Sequence, residues 1–123
     1  MAVLPNNYTI ITALGSEWSA TVTIYNDDGT LANITNKVFE FVARDRLNTV
    51  GRILFTVTST ATNTYGGITV DTVTSTLQVV LTPAATATVT EGGAPYTLWM
   101  DQNLPDAEAL LAGILYAKPV AAP

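Results

Sequence analysis

A chain of 123 residues with 10 Asp and Glu against 5 Lys and Arg, and with neither Cys nor His, holds one domain's worth of protein and excludes whole classes of chemistry. Disulfides, thiolate nucleophiles, zinc centres built on Cys or His, and imidazole acid–base catalysis all lack their residues. A formal charge of −5 carried with only 5 cations does not supply the phosphate-neutralising cluster that nucleic acid requires.

Met1 to Pro5 has neither a basic run nor a sustained apolar stretch, so no secretory signal is expected there. Tyr8 to Ala13 reads as a first strand with Tyr8 and Ile10 on one side and Ile11 on the other. From Gly15 the pattern strengthens. Trp18, Ala20, Val22 and Ile24 alternate with Ser19, Thr21, Thr23 and Tyr25, the period of a strand with one dry face. Asn26-Asp27-Asp28-Gly29 then forces a reversal, because Asn and Asp bond nearby backbone and Gly takes positive φ freely. Lys37 to Arg44 alternates again, with Phe39, Phe41 and Ala43 opposite Val38, Glu40, Val42 and Arg44, and Phe39 and Phe41 as core. Arg44, Arg46 and Arg52 are the one local gathering of cations, and Arg44 is expected to pair with Glu40 or Asp45.

Val50 to Ser59 reads as a strand with Ile53, Phe55 and Val57 inward. The hydroxyl-rich run Thr58 to Gly67 predicts a loop tip or the exposed end of a long hairpin. Ile68 to Val73 and Thr76 to Thr82 predict two more strands, with Ile68 and Val70, then Leu77, Val79 and Leu81, facing the core and Thr74-Ser75 turning between them. Pro83 ends the second, and Ala84 to Val89 predicts one helical turn before Glu91-Gly92-Gly93. Tyr96, Leu98 and Met100 alternate with Thr97, Trp99 and Asp101. Pro105 to Gly113 satisfies helix start and stop rules, yet a loop followed by a strand from Leu110 to Lys118 is preferred because it closes an otherwise open sheet edge. Ala109 to Ala117 is too short to span a bilayer. The sum is an all-β, antiparallel, Ig-like sandwich of seven to eight strands in a single domain over residues 1–123, with at most one short helical turn. Its core candidates are Trp18, Val22, Ile24, Phe39, Phe41, Phe55, Val79, Leu81 and Leu98.

Candidate sites are few. Asn26, Asp27, Asp28 and Thr30 offer oxygens, but the calcium-loop pattern wants a Glu where Thr35 stands, so a turn is the expected role. Asn7-Tyr8-Thr9 and Asn33-Ile34-Thr35 match a glycosylation sequon, a pattern that chance produces often. Glu17, Glu40, Asp71, Glu91 and Asp101 fall one per element, which does not pair two carboxylates for glycoside hydrolysis. No catalytic residue, cofactor or metal is expected. Trp18, Tyr25, Tyr65, Tyr96 and Trp99 could stack sugar rings, and a glycan site would need Trp99 and Tyr65 in one groove. Trp99 lies out of phase with its strand's inward set, which marks it as a partner contact. With 48% apolar and 12% charged residues, part of the surface is expected to be covered by other subunits. Tyr65, Lys118 and Val120 join Trp99 as interface candidates, and the arms of about residues 1–6 and 118–123 are expected to lie against neighbours.

The order of features resembles the small β-sandwich domain at the N-terminus of phage baseplate upper proteins and in LtfC-like phage proteins. The residues that carry the resemblance are Gly15-Ser16-Glu17-Trp18, Asp28-Gly29, Ile34-Thr35-Asn36, Phe39 to Arg44, the Thr76 to Thr82 strand ending in Pro83-Ala84-Ala85-Thr86, Tyr96 to Met100, and Leu110 to Leu115. The resemblance implies a non-enzymatic structural piece of a virion that docks on other virion proteins and on copies of itself, without membrane or nucleic-acid contact. It departs after Ala117, where baseplate upper proteins continue into a longer portion, and so leaves capsid decoration as an alternative. A carbohydrate-binding adhesin module is the alternative from another class.

Overall fold

The computed structural model describes residues 6–45, 52–89, 93–101, 105 and 107–119. Its strands are β1 (Asn6–Asn7), β2 (Ile10–Ala13), β3 (Trp18–Thr23), β4 (Phe39–Arg44), β5 (Ile53–Thr58), β6 (Gly66–Asp71), β7 (Thr76–Leu81), β8 (Ala94–Met100) and β9 (Glu108–Lys118), with one helical turn, α1 (Pro83–Thr86). Both β1 and β2 pair along the same edge of β9, so they act as one strand interrupted at Tyr8 and Thr9. The larger sheet runs β1/β2-β9-β8-β4-β5 and the smaller β3-β7-β6. The fold is therefore an all-β sandwich.

Alternation placed the core well, because residues two apart in a strand share a face. Phe39, Phe41, Ala43, Phe55, Val57, Leu77, Val79, Leu81, Leu98 and Ile24 are all buried between the sheets. Inside, Phe41 stacks on Tyr96 with ring centroids 4.9 Å apart and on Phe55 at 6.1 Å, and Phe55 stacks on Tyr65 at 5.9 Å. This row of rings crosses three strands of the larger sheet. At the end where β3 begins, the hydroxyl of the buried Thr86 in α1 donates to the Ser16 carbonyl at 2.8 Å, tying the helical turn to the β2–β3 connection.

Several expectations are corrected. The sandwich is not wholly antiparallel: β1 and β2 run parallel to β9, an arrangement that needs a long connection and here uses nearly the whole chain. Strands β3 and β4 flank the Asp-Gly turn but belong to different sheets, since β3 pairs with β7 and β4 with β5 and β8. Trp18 and Val22 are only half-buried; they pack against the core, but from β3, an edge strand covered on one flank alone. Ile53 is 49% exposed because the register shifts at Ala43/Arg44 and pairs it with the exposed Arg44. The Thr58–Gly67 run is no hairpin tip. It carries the chain from β5 to β6 in the other sheet, folding Tyr65 onto Phe55 on the way. The closing strand starts at Glu108, earlier than Leu110, and takes the place of the alternative helix.

Candidate docking surface

One end of the sandwich gathers the loop 24–34, the β6–β7 turn, the start of β4, the end of β8 and the start of β9. Its loop follows from turn chemistry. The Asn26 amide donates to the Thr30 carbonyl at 2.7 Å and the Gly29 amide to the Asn26 carbonyl at 2.9 Å, with Gly29 at φ 86°. Asp28 Oδ1 accepts from the Thr30 amide at 3.0 Å and from its hydroxyl at 2.6 Å. These two bonds stabilise the carboxylate and hold the Asp28 pKa below its ordinary value, the Thr30 hydroxyl contributing most. The acid is thus engaged within its own turn. Among the described residues no three metal-ligating side chains come together.

The turn leaves large apolar groups in water. Tyr25 and Leu31 bridge each other across it and stand 61% and 50% exposed, while Val73, at the β6–β7 turn, is 87% exposed. That second turn is shaped by Asp71, whose Oδ1 accepts from the Val73 amide at 3.0 Å. It is tied to the first by Ser75, which is buried with φ 55°, accepts from the Ile24 amide at 2.9 Å and donates its hydroxyl to the Ala32 carbonyl. Beside Tyr25 lies a cleft of about 360 Å³, lined by the apolar Ile24, Ile34, Met100 and Leu110 and by the polar Asn26, Asp27, Asn33 and Glu108.

The same end is braced by Asp101. This buried residue takes φ 53° after β8. Its Oδ1 accepts from the Val38 amide at 2.9 Å, its own amide donates to the Val38 carbonyl at 2.7 Å, and its Oδ2 lies 3.3 Å from Lys37 Nζ. The residue that sequence reasoning left among scattered acids is a clip joining β8 to the start of β4. Its partners lie 63 and 64 positions away, so no local spacing could reveal them.

Trp99 is half-buried and pairs with Glu40 and Ala109, beside a register shift at Leu98/Trp99. That register puts it on the outer face of the larger sheet, opposite to the face carrying Leu98 and Tyr96. Tyr65 stacks within the row of rings on the inner face. The two aromatics therefore lie on opposite faces and do not form the single groove that a glycan site built on them would need. Lys118 is exposed but is no free arm: it ends β9 opposite Ala13, and its carbonyl accepts from the Leu14 amide at 2.8 Å. Asn6 likewise belongs to β1. Val120 lies outside the described residues. Of Tyr25, Leu31 and Val73, the sequence singles out only Tyr25, as one of the rings that could stack on sugars; the signal for the other two is limited to an aliphatic flanking a polar turn.

No protein-family model matches the chain, and no curated protein matches it. The resemblance to phage sandwich domains accordingly rests on this sequence's own motifs.

Proposed function

We propose that the chain is a non-catalytic structural protein of a tailed-phage particle, a small β-sandwich that docks on other virion subunits through the end carrying Tyr25, Leu31 and Val73. The observation that carries this reading is the exposure of three large apolar side chains, Tyr25, Leu31 and Val73, at one end of the sandwich, with Tyr25 on the lining of a cleft there, since such patches mark interaction sites. Asp27 and Glu108 on the cleft lining favour a partner segment that brings an apolar side chain together with Lys or Arg. The virion setting follows from the resemblance of the sequence motifs, with capsid decoration as the variant that uses the same surface.

The test is a comparison of wild type with Tyr25→Ala/Leu31→Ser. Both residues are exposed, so the melting temperature should hold to within a few degrees, whereas occupancy on assembled particles should fall at least tenfold. Normal occupancy with the double substitution in place removes this surface from the proposal.

A further inference from the structure

Among the described residues the two sheets leave four edges, and three of them carry a device that blunts pairing with another chain. The β1/β2 edge is broken into pieces of two and four residues. On the β5 edge, Asn63 Nδ2 donates to the Thr56 carbonyl at 2.9 Å, and the register shift at Ala43/Arg44 bends the strand. The β6 edge is covered at its start by the mutual bonds of Asn63 and Gly66, and it ends in Asp71. The fourth edge, β3, has six consecutive residues, Trp-Ser-Ala-Thr-Val-Thr, without Pro, Gly or charge and without a register shift against β7.

The ladder fixes which backbone groups this edge offers. The Ile24 amide donates to the Ser75 carbonyl at 2.9 Å, and with the β3–β7 register this makes Trp18, Ala20 and Val22 the residues bonded to β7. Ser19, Thr21 and Thr23 therefore turn their N–H and C=O groups away from β7, towards the open side.

We infer that β3 pairs with β3 of a second copy of this chain, antiparallel about a two-fold axis at Thr21, joining two three-stranded sheets into one of six strands. In that register Thr21 faces Thr21 of the second copy and Ser19 faces Thr23, three pairs that each exchange two backbone hydrogen bonds. Cross-strand hydroxyl pairs of this kind are favourable. The neighbouring pairs match small with large, Ala20 against Val22 of the second copy, and apolar with apolar, Trp18 against Ile24. Glu17 meets Tyr25, so two chains of charge −5 oppose no like charges along the seam. An edge that complements itself in this way closes as an isologous dimer. This pairing shares Tyr25 with the docking end proposed above but uses neither Leu31 nor Val73, so substitutions at those two residues separate the two proposals.

The test is light scattering with amide hydrogen exchange on the full chain, each at low and at near-millimolar concentration. Wild type should shift from monomer to dimer, with protection of the Ser19, Thr21 and Thr23 amides rising together with the dimer fraction. Thr21→Pro removes an outward N–H without touching the β7 ladder, and Thr21→Lys places charge at the axis; each should weaken self-association at least tenfold. Leu31→Ser/Val73→Ser, at exposed positions outside the seam, should leave dimerisation unchanged. A wild-type chain that stays monomeric overturns the inference. So does a dimer in which those three amides exchange freely, or a dimer that persists in a folded Thr21→Lys variant.

Discussion

The Tyr96 hydroxyl donates to the main-chain carbonyl of Tyr8, reaching it across β9 at the position of Gly113. Tyr96 and Gly113 are cross-strand partners, and a Cβ built on Gly113 would lie 2.1 Å from the Tyr8 oxygen. The missing side chain is what lets the interrupted first strand lie close on β9 while the phenol passes over it. Gly113→Ala drives a methyl into backbone that has no rotamer to give way, so it should destabilise by about 2–4 kcal/mol, at or somewhat above the usual cost of overpacking. Urea unfolding measures this directly. A loss below about 0.5 kcal/mol would mean that the first strand does not pack there.

The Tyr96 phenol also carries a pH signature. Burial pushes the Tyr96 phenol well above its ordinary range, and Tyr8 adds a smaller contribution in the same direction. The unfolded chain ionises this phenol near pH ~10 while the folded chain keeps it neutral. Above that pH the unfolded state therefore holds fewer protons, and stability falls as pH rises, by at most about 1.4 kcal/mol per unit for this group. Tyr96→Phe should cost about 1 kcal/mol at neutral pH through the lost bond, yet show a shallower decline in unfolding midpoint above pH ~10. Equal slopes for the two proteins would contradict the buried, neutral phenol.

Phe41 lies in the middle of the row from Tyr96 to Tyr65, stacked on both of its neighbours and 1% exposed. Phe41→Ala removes two ring contacts and opens a cavity between the sheets, a loss of about 3–5 kcal/mol that threatens a domain of this size. We expect the denaturant midpoint to fall accordingly with little change in slope. A shift under about 1 kcal/mol would place the ring elsewhere.

Much of this interior was legible because alternation is a local property: Phe39, Phe41 and Ala43 share a face whatever β4 pairs with. Partner choice is not local. Nothing near Ile10 or Trp18 announces that β2 runs parallel to β9 or that β3 belongs to the smaller sheet, since hydrogen-bond ladders between distant segments leave no periodic trace of their partners. Edge position explains why Trp18 is half-buried despite a core pattern, and the shifted register beside Arg44 explains Ile53. Of the surface, the Asp-Gly turn was readable, but the grouping of Tyr25, Leu31 and Val73 depends on Ser75 bonding to the Ala32 carbonyl across 43 positions.

Asp101 tests how that end is held. Its carboxylate is buried, accepts from the Val38 amide and lies beside Lys37, so Asp101→Ala leaves a main-chain donor without its acceptor and removes the ion pair to Lys37. The hydrogen bond to a charged group alone is worth ~1.5–3 kcal/mol, and we expect a stability loss of about that size. Asp101→Asn keeps an oxygen for the Val38 amide and a residue type that tolerates positive φ, and so should recover more than half. Because the clip joins the last residues of β8 to the start of β4, its loss should also raise hydrogen exchange at Val38 and Phe39 while Leu77 and Val79 in the smaller sheet stay protected. Uniform loss of protection across both sheets would show that the clip stabilises the whole fold and not this end alone.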